Sequence, residues 1–152
     1  MDHSLYAGEL FMQGYSCSQA VAAAFSDVTG VSPQRSARMV SAFGGGLSRL
    51  REVCGAVSGM AFVLGILYGY DRPEDEQGKK ELYRLVQQLA GEFREANGSI
   101  ICREILKNPP SDPNPTPRTA EFYKARPCAR LVVSAAEILD RYIGEHPPVR
   151  PA

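Results

Sequence analysis

The sequence predicts an all-α protein, a bundle of about six or seven helices with no sheet. Apolar residues recur at three- and four-residue spacing along most of the chain, which is the period of one helix face. Serine, proline and glycine occur where such helices need caps. Alternating runs are short and hairpin turn residues are lacking, so no strand is predicted. With 152 residues, 44% of them hydrophobic, the chain fits a single helical domain over residues 1–152.

Capping signals place the helices in the first part of the chain. Gly14 ends a short first helix, because glycine readily adopts the backbone conformation that closes a helix. Ser16 and Gln19 match a capping box, which opens an alanine-rich helix with Cys17 as its first residue. A Ser-Pro pair marks the next start. These signals predict helices over about residues 17–29 and 33–43.

Three consecutive glycines, residues 44–46, follow the second of these helices. A phosphate-binding loop needs a preceding strand and a following helix, and neither is predicted here. We interpret the glycines as a flexible turn or a point of close backbone packing. The next helix, about residues 54–68, is apolar on nearly every side, which is typical of the centre of a bundle. An amphipathic helix over about residues 74–96 comes after it.

The remaining elements are two helices and a loop. Ser99 is a predicted cap for a helix over about residues 100–107, which contains Cys102 as its third residue. The proline-rich run at about residues 108–118 cannot be helical and predicts an extended surface loop. A short piece near residues 119–124 leads to Pro127, which marks the start of the last helix, ending at about Ile143.

Charge and motifs exclude several classes of function. The 17 basic and 17 acidic side chains cancel, so no overall field favours nucleic acid or an anionic membrane. No apolar run reaches the roughly 20 residues of a membrane span, and the N-terminus does not resemble a signal peptide, so we expect a cytoplasmic protein without membrane insertion. His3 and His146 lie near the two termini, far from any cysteine in sequence, and no hydrolase motif is present.

The four cysteines share one property: each falls within the first turn of a predicted helix. They are Cys17, Cys54, Cys102 and Cys128. A helix N-terminus carries unpaired N–H groups and about half a positive charge, which favours the thiolate over the thiol. Four such ends at one point would supply roughly two positive charges. This would nearly offset the net charge of about minus two of a tetrathiolate zinc or oxidised [2Fe–2S] site.

Arginines near the cysteines fit the same interpretation. Four of them lie within three residues of a cysteine: Arg51, Arg103, Arg126 and Arg130. They could screen thiolates or donate to sulfur, although for any one of them taken alone we favour the interpretation as an ordinary surface arginine. The Cys-x-x-Cys pair that usually marks a zinc or cluster site is missing, and a small buried cysteine is also a common structural residue.

Small residues after the second cysteine indicate a crowded position. Gly55 and Gly59 are spaced four apart, with Ala56 between them, and glycine costs about 1 kcal/mol relative to alanine inside a helix. On one helix face they allow another backbone, or a bulky inorganic group, to approach closely.

The ordered motif Cys54-Gly55-Ala56-Val57-Ser58-Gly59, together with Cys17, Cys102 and Cys128, resembles the C-GCAxxG-C-C family of redox-active proteins. The chain has Val53 where the family label writes glycine. The resemblance implies a redox role for the four cysteines, with Gly55, Ala56 and Gly59 as framework. A related domain in split-Soret cytochromes implies an association with iron–sulfur chemistry.

These observations lead to one hypothesis and two alternatives. We expect the four cysteines to form one site that binds an iron–sulfur cluster and exchanges an electron with a redox partner protein. The first alternative is a dithiol–disulfide redox protein without metal, in which the other two thiols resolve or support the reactive pair. The second is a zinc-stabilised, non-catalytic module that binds a protein or delivers metal.

Overall fold

The protein is all-α, as predicted. The structure is a computed structural model that describes residues 1–149; the last three residues of the predicted domain, 150–152, lie outside this range. Within it there are ten helical segments and no strand. The segments are α1 (His3–Met12), α2 (Cys17–Ala24), α3 (Ser26–Thr29), α4 (Pro33–Met39), α5 (Gly44–Leu47), α6 (Gly55–Tyr68), α7 (Glu76–Asn97), α8 (Cys102–Ile105), α9 (Ala120–Ala125) and α10 (Cys128–Glu145), with a 3-10 turn at Ser41–Phe43 between α4 and α5.

The count exceeds six or seven because short segments escape a reading of periodicity. The helix predicted over residues 17–29 is divided at Phe25, whose backbone leaves helical geometry with φ −100° and ψ 19°. Its ring is fully buried, and the Ser26 hydroxyl donates to the carbonyl of Ala23 at 2.8 Å. The helix predicted over residues 33–43 likewise stops at Met39 and continues only as the 3-10 turn.

The centre of the bundle is α2, which packs against α1, α4, α6 and α10. Its residues from Ala20 to Ala24 are all buried, and their small side chains let four neighbouring helices approach it. Helix α10 crosses α1, α2, α6 and α7. The largest fully buried side chains include Phe11, Phe25, Phe93, Met60, Leu64 and Leu139. Together they form the core against which the helices pack.

The two glycines of α6 lie at its contact with α2. A methyl group on Gly59 would stand 2.8 Å from the carbonyl oxygen of Ser18, and one on Gly55 would stand 3.2 Å from the Ser18 nitrogen. Both distances are shorter than an ordinary van der Waals contact. The absence of a side chain at these positions therefore sets how closely the two helices approach.

His3 ties three helices together near the start of the chain. It is 7% exposed, and its ring lies between two carboxylates: Nδ1 is 2.6 Å from Asp140 Oδ1 and Nε2 is 2.9 Å from Asp27 Oδ1. The ring also stacks on Phe25, with centroids 4.3 Å apart. This histidine thus connects α1 to α3 and α10.

None of the helices formed by residues 1–149 is both long and apolar enough to cross a bilayer. The longest, α7, is amphipathic, with Leu85, Leu89 and Phe93 buried and charged residues along the opposite side.

Candidate functional site

All four cysteines line a single cavity of about 270 Å³. Cys17, Cys102 and Cys128 are the first residues of α2, α8 and α10, and Cys54 is the residue immediately before α6. Their predicted position at helix starts is therefore confirmed, with two corrections: Cys54 lies just outside its helix, and Cys102 is the first residue of α8 rather than the third. The tertiary fold brings together thiols that are far apart in sequence.

The start of α2 is held by the predicted capping box. Ser16 Oγ accepts a hydrogen bond from the backbone N–H of Gln19 at 3.3 Å, and Gln19 Oε1 accepts from the Ser16 N–H at 3.1 Å. The Gln19 amide also donates to the carbonyl of Ala37 at 3.1 Å, which fastens this end of α2 to α4. These bonds fix the backbone that carries Cys17.

An isolated antiparallel bridge between Val53 and Ile101 brings the second and third cysteines together. The Cys54 N–H donates to the carbonyl of Ile100 at 2.7 Å, and the Cys102 N–H donates to that of Glu52 at 2.6 Å. Each of the two cysteines therefore directly follows a residue of the bridge. No alternating pattern marks either position in the sequence, because an isolated bridge involves too few residues to show one.

Ser99 does not cap α8 as predicted. The N-cap residue is Ile101, and Ser99 Oγ instead accepts from the Ile101 N–H at 3.0 Å and donates to Glu104 at 2.6 Å. The serine therefore bonds within the turn before the helix, and Ile101 keeps the extended backbone of the bridge, with φ −101° and ψ 123°.

Part of the cavity wall has an unusual left-handed backbone. Five consecutive residues, Gly45 to Arg49, have φ between 49° and 71°, and Arg51 has φ 62°. For residues other than glycine this conformation is unfavourable by about 1–2 kcal/mol per residue. Backbone hydrogen bonds stabilise it, from the Arg51 N–H to the Gly45 carbonyl at 3.2 Å and from the Glu52 N–H to the Gly46 carbonyl at 2.8 Å.

The glycines at 44–46 form part of this wall and are points of close backbone packing. A methyl group on Gly46 would lie 2.7 Å from Cys102 Cβ and 2.8 Å from the Glu52 nitrogen, and the residue has φ 70°. Only glycine satisfies both the conformation and the space. The interpretation of these residues as a site of close packing is thus confirmed at Gly46.

Two of the four arginines singled out in the sequence reach the cavity, Arg51 and Arg126. Arg51 is 3% exposed, and its Nη1 donates to Cys102 Sγ at 3.7 Å. Arg103 instead forms a surface ion pair with Glu52 at 2.5 Å, and Arg130 is exposed and lies outside the cavity lining. For these last two the description as surface arginines holds.

Two further arginines at the cavity were missed by the sequence reasoning, Arg49 and Arg118. Arg49 binds the proline-rich loop, donating to the carbonyl of Asp112 at 2.6 Å and to Thr116 Oγ1 at 2.8 Å. The guanidinium of Arg118 lies 4.5 Å from the centre of the Phe11 ring. Proximity to a cysteine in sequence was the only signal used, and neither arginine has it.

The proline-rich loop is part of the site. It has no helix between α8 and α9 and is mostly exposed, as predicted, but Pro115 and Thr116 line the cavity. Arg51 Nε donates to the carbonyl of Pro110 at 2.9 Å, so arginines of the cavity wall hold the loop in place. Its contribution to the site has no signature in the sequence, since it depends on backbone carbonyls.

The thiols differ in acidity. Hydrogen bonding with Cys17 lowers the pKa of Cys128 to about 7, and the charges of Arg126, Arg118 and Arg51 act in the same direction. The same hydrogen bond, followed by burial, raises the pKa of Cys17 well above its usual value. Burial raises the pKa of Cys54 to about 12 and also raises that of Cys102, for which the hydrogen bond from Arg51 opposes the effect. The nearby arginines therefore favour the thiolate form of Cys128, whereas burial favours the protonated form of Cys54 and Cys102.

The donor set of the cavity suits a metal or an iron–sulfur cluster chemically, because four thiols are the usual ligands of both. All four cysteines are free thiols in the described chain. Within residues 1–149, however, no group of three or more Cys, His, Asp or Glu side chains is arranged to hold a metal ion. As they stand, the four sulfurs share a cavity without forming a ready-made coordination shell.

Comparison with known proteins gives one match. The model of a family described as "Putative redox-active protein (C_GCAxxG_C_C)" matches residues 15–142, a range that includes the four cysteines and the cavity-lining residues other than Phe11. Searches of the curated proteins and of the solved structures gave no match. Since the family match covers most of the sequence, the chain belongs to the C_GCAxxG_C_C family of redox-active proteins.

Proposed function

We propose that this protein performs thiol–disulfide redox chemistry and that Cys17 and Cys128 are its reactive pair. The observation that supports this function best is that the two thiols line the same cavity and interact closely enough for each to shift the pKa of the other. Two neighbouring thiols on one cavity wall can form a disulfide once their sulfurs reach bonding distance. The redox character of the family agrees with this function.

Cys128 acts as the nucleophile, because its thiolate is the one favoured near neutral pH. Its sulfur attacks one sulfur of a substrate disulfide, which forms a mixed disulfide and releases the other half as a thiolate that takes up a proton. Cys17, after losing its proton, attacks the Cys128 sulfur. This forms the Cys17–Cys128 disulfide and releases the second half as a thiol. Two electrons pass from the protein to the substrate, and a dithiol partner protein supplies them again.

Cys54 and Cys102 remain protonated at neutral pH because burial raises the pKa of both. They are therefore poor nucleophiles in the resting state. We assign them a supporting role as neighbours of the pair on the same cavity.

The test is to count free thiols before and after mild oxidation. Wild-type protein should lose two of its four thiols reversibly, and peptide mapping should find the bond between Cys17 and Cys128. Cys17→Ala should abolish the reversible loss, while Cys54→Ala, the matched control from the same cavity, should retain it. A bond mapped to Cys54 and Cys102, or no loss in the wild type, would contradict the assignment.

A second candidate function is electron transfer through an iron–sulfur cluster held by Cys17, Cys54, Cys102 and Cys128. The observation in its favour is that all four thiols line one cavity together with arginines. The positive charge of these arginines would offset the negative charge of a tetrathiolate site. When bound, the cluster would supply one-electron exchange with a redox partner. Gly55, Ala56 and Gly59 would provide the close-packed framework behind it.

Metal analysis separates the candidates. Anaerobically purified protein should contain iron and sulfide, or take them up on reconstitution with visible absorption, if the cluster is native. Stoichiometric zinc that survives dialysis, with stability lost on chelation, would instead support the zinc-stabilised module. Protein that carries none of these and still loses two thiols on oxidation supports the dithiol function.

A further inference from the structure

The cavity of the four cysteines carries more positive charge than its own residues neutralise. Four arginines line it: Arg49, Arg51, Arg118 and Arg126. No aspartate or glutamate from the described part of the chain does so. Among residues 1–149, Arg49 alone of the four has a carboxylate partner, Asp112 at 3.8 Å. Guanidinium groups stay protonated at any physiological pH, so even an ionised Cys128 leaves the cavity positive.

The buried arginine of this set has a donor without an acceptor. Arg51 is 3% exposed, and two of its nitrogens donate to Pro110 and Cys102. Its Nη2 has no hydrogen-bond partner in the described chain. A buried donor left unsatisfied lowers the stability of the fold, and more so when the group is charged. An acceptor oxygen of a ligand that reached Nη2 would satisfy it.

A second guanidinium is available beside the nucleophile. Arg126 is two residues before Cys128, lines the same cavity and is half-buried. Its guanidinium lies 4.9 Å from the centre of the Phe122 ring, and its side chain makes no hydrogen bond or ion pair within residues 1–149. Burial and the nearby charge of Arg51 lower the pKa of Arg126, as expected for cations gathered without counter-charges.

We propose that this cavity binds the oxyanion end of a small acidic thiol or disulfide, with Arg51 and Arg126 donating to its oxygen atoms. The inference rests on the proposed thiol–disulfide function and specifies its substrate class. A guanidinium donates two parallel N–H groups to a carboxylate or sulfonate, which fixes the orientation of the ligand. The ligand's sulfur would then face Cys128, while Phe11 and Leu131 on the cavity wall contact its carbon atoms.

The size of the cavity agrees with a small ligand. Its volume of about 270 Å³ lies at or below the lower end of the roughly 300–1,000 Å³ typical of small-molecule sites. It suits a compound of low molecular weight rather than a folded protein surface.

The first test measures anion binding alone. Sodium sulfate is titrated into reduced protein by calorimetry, with ionic strength held constant by sodium chloride. Wild-type protein should bind one sulfate, Arg126→Gln should weaken binding tenfold or more, and Arg130→Gln should leave it within about twofold. Arg130 is the matched control because it is exposed and outside the cavity. No saturable sulfate binding by the wild type would overturn the proposal.

The second test uses no variant for its main result. The alkylation rate of Cys128 is measured with iodoacetate, which is anionic, and with iodoacetamide, which is neutral. The ratio of the iodoacetate rate to the iodoacetamide rate is then divided by the same ratio for free cysteine. We expect a normalised ratio of about ten or more in the wild type at low salt, falling toward one in Arg126→Gln and at high salt. A ratio near one in the wild type would overturn the proposal.

These tests fail separately from the redox function. Sulfate binding with no reversible loss of thiols would support the oxyanion site but contradict an acidic thiol or disulfide as its ligand. Reversible thiol oxidation with neither sulfate binding nor a charge preference would keep the redox function and show that the arginines only balance the thiolates.

Discussion

The contact between α2 and α6 yields a sharp prediction about Gly59. Replacing Gly59 with alanine adds a methyl group 2.8 Å from the carbonyl oxygen of Ser18 and 3.1 Å from Val21 Cβ. The carbonyl belongs to the helix backbone and cannot rotate away, so α2 and α6 must separate. Gly65 lies in the same helix, is exposed, and has no heavy atom within 4 Å of the added methyl position. Gly65→Ala is therefore the matched control.

Two effects of opposite sign set the magnitude. Alanine is favoured over glycine in a helix interior by about 1 kcal/mol, and both variants gain this term. Overpacking a close contact costs about 1–3 kcal/mol, and only Gly59→Ala pays it. We expect Gly65→Ala to raise the free energy of unfolding by about 0.5–1 kcal/mol. The free energy of unfolding of Gly59→Ala should be lower than that of Gly65→Ala by about 1–3 kcal/mol.

The assay is urea denaturation of reduced protein followed by circular dichroism, with both variants and the wild type fitted to a two-state transition. Because α2 carries Cys17 at its start, alkylation of Cys17 and Cys128 should also change in Gly59→Ala but not in Gly65→Ala. Equal stabilisation by the two substitutions would refute the reasoning, since it would mean that α2 and α6 do not approach as closely as described.

Three further predictions concern acidity, backbone strain and the core. Cys128, with its pKa lowered to about 7, should be alkylated at a rate that falls about tenfold per pH unit below 7 and levels off above 8, while Cys54 stays unreactive at pH 9; equal profiles in peptide mass spectra would contradict this. Leu47→Gly, at φ 70° and 43% exposed, should stabilise the protein by about 1 kcal/mol on urea denaturation because it removes left-handed strain; a loss of stability would refute the strain argument. His3→Ala should cost about 2–3 kcal/mol in the same assay, because two hydrogen bonds to carboxylates and a ring contact are lost; a change below 0.5 kcal/mol would show that the residue contributes little.

The sequence predicted the fold class and the helix starts because both depend on local chemistry. The capping box at Ser16 marks the start of α2 through hydrogen bonds within a few residues, and the proline at 127 marks that of α10 as its N-cap residue, with φ −79° and no side-chain cap bond. Convergence of the four thiols was a hypothesis that local patterns could not establish. It depends on the isolated bridge at Val53 and on the packing of α2 against α6, contacts between residues distant in sequence.

The cavity wall was less predictable for a related reason. Five successive residues with positive φ run against their intrinsic preferences, since three of them are not glycine. Arg49 reaches the cavity from this segment, and its bonds to the proline-rich loop involve a backbone carbonyl and a threonine hydroxyl. Neither the conformation nor such partners can be read from the order of side chains.

Two energetically unfavourable features coincide at this wall: a left-handed segment and a buried arginine with an unsatisfied donor. Each non-glycine residue of the segment and the unsatisfied donor lower stability by about 1–3 kcal/mol apiece, and a wall of ordinary helix with apolar side chains would avoid both features. Together they hold Arg49 and Arg51 at the cavity, where both charges attract anions and the charge of Arg51 favours the Cys128 thiolate. Strain and unsatisfied charge at one position are typical of functional sites, where stability is exchanged for a prepared electrostatic environment. If the oxyanion proposal is correct, bound sulfate should therefore stabilise the folded protein, whereas Arg126→Gln should reduce that stabilisation without lowering stability in chloride.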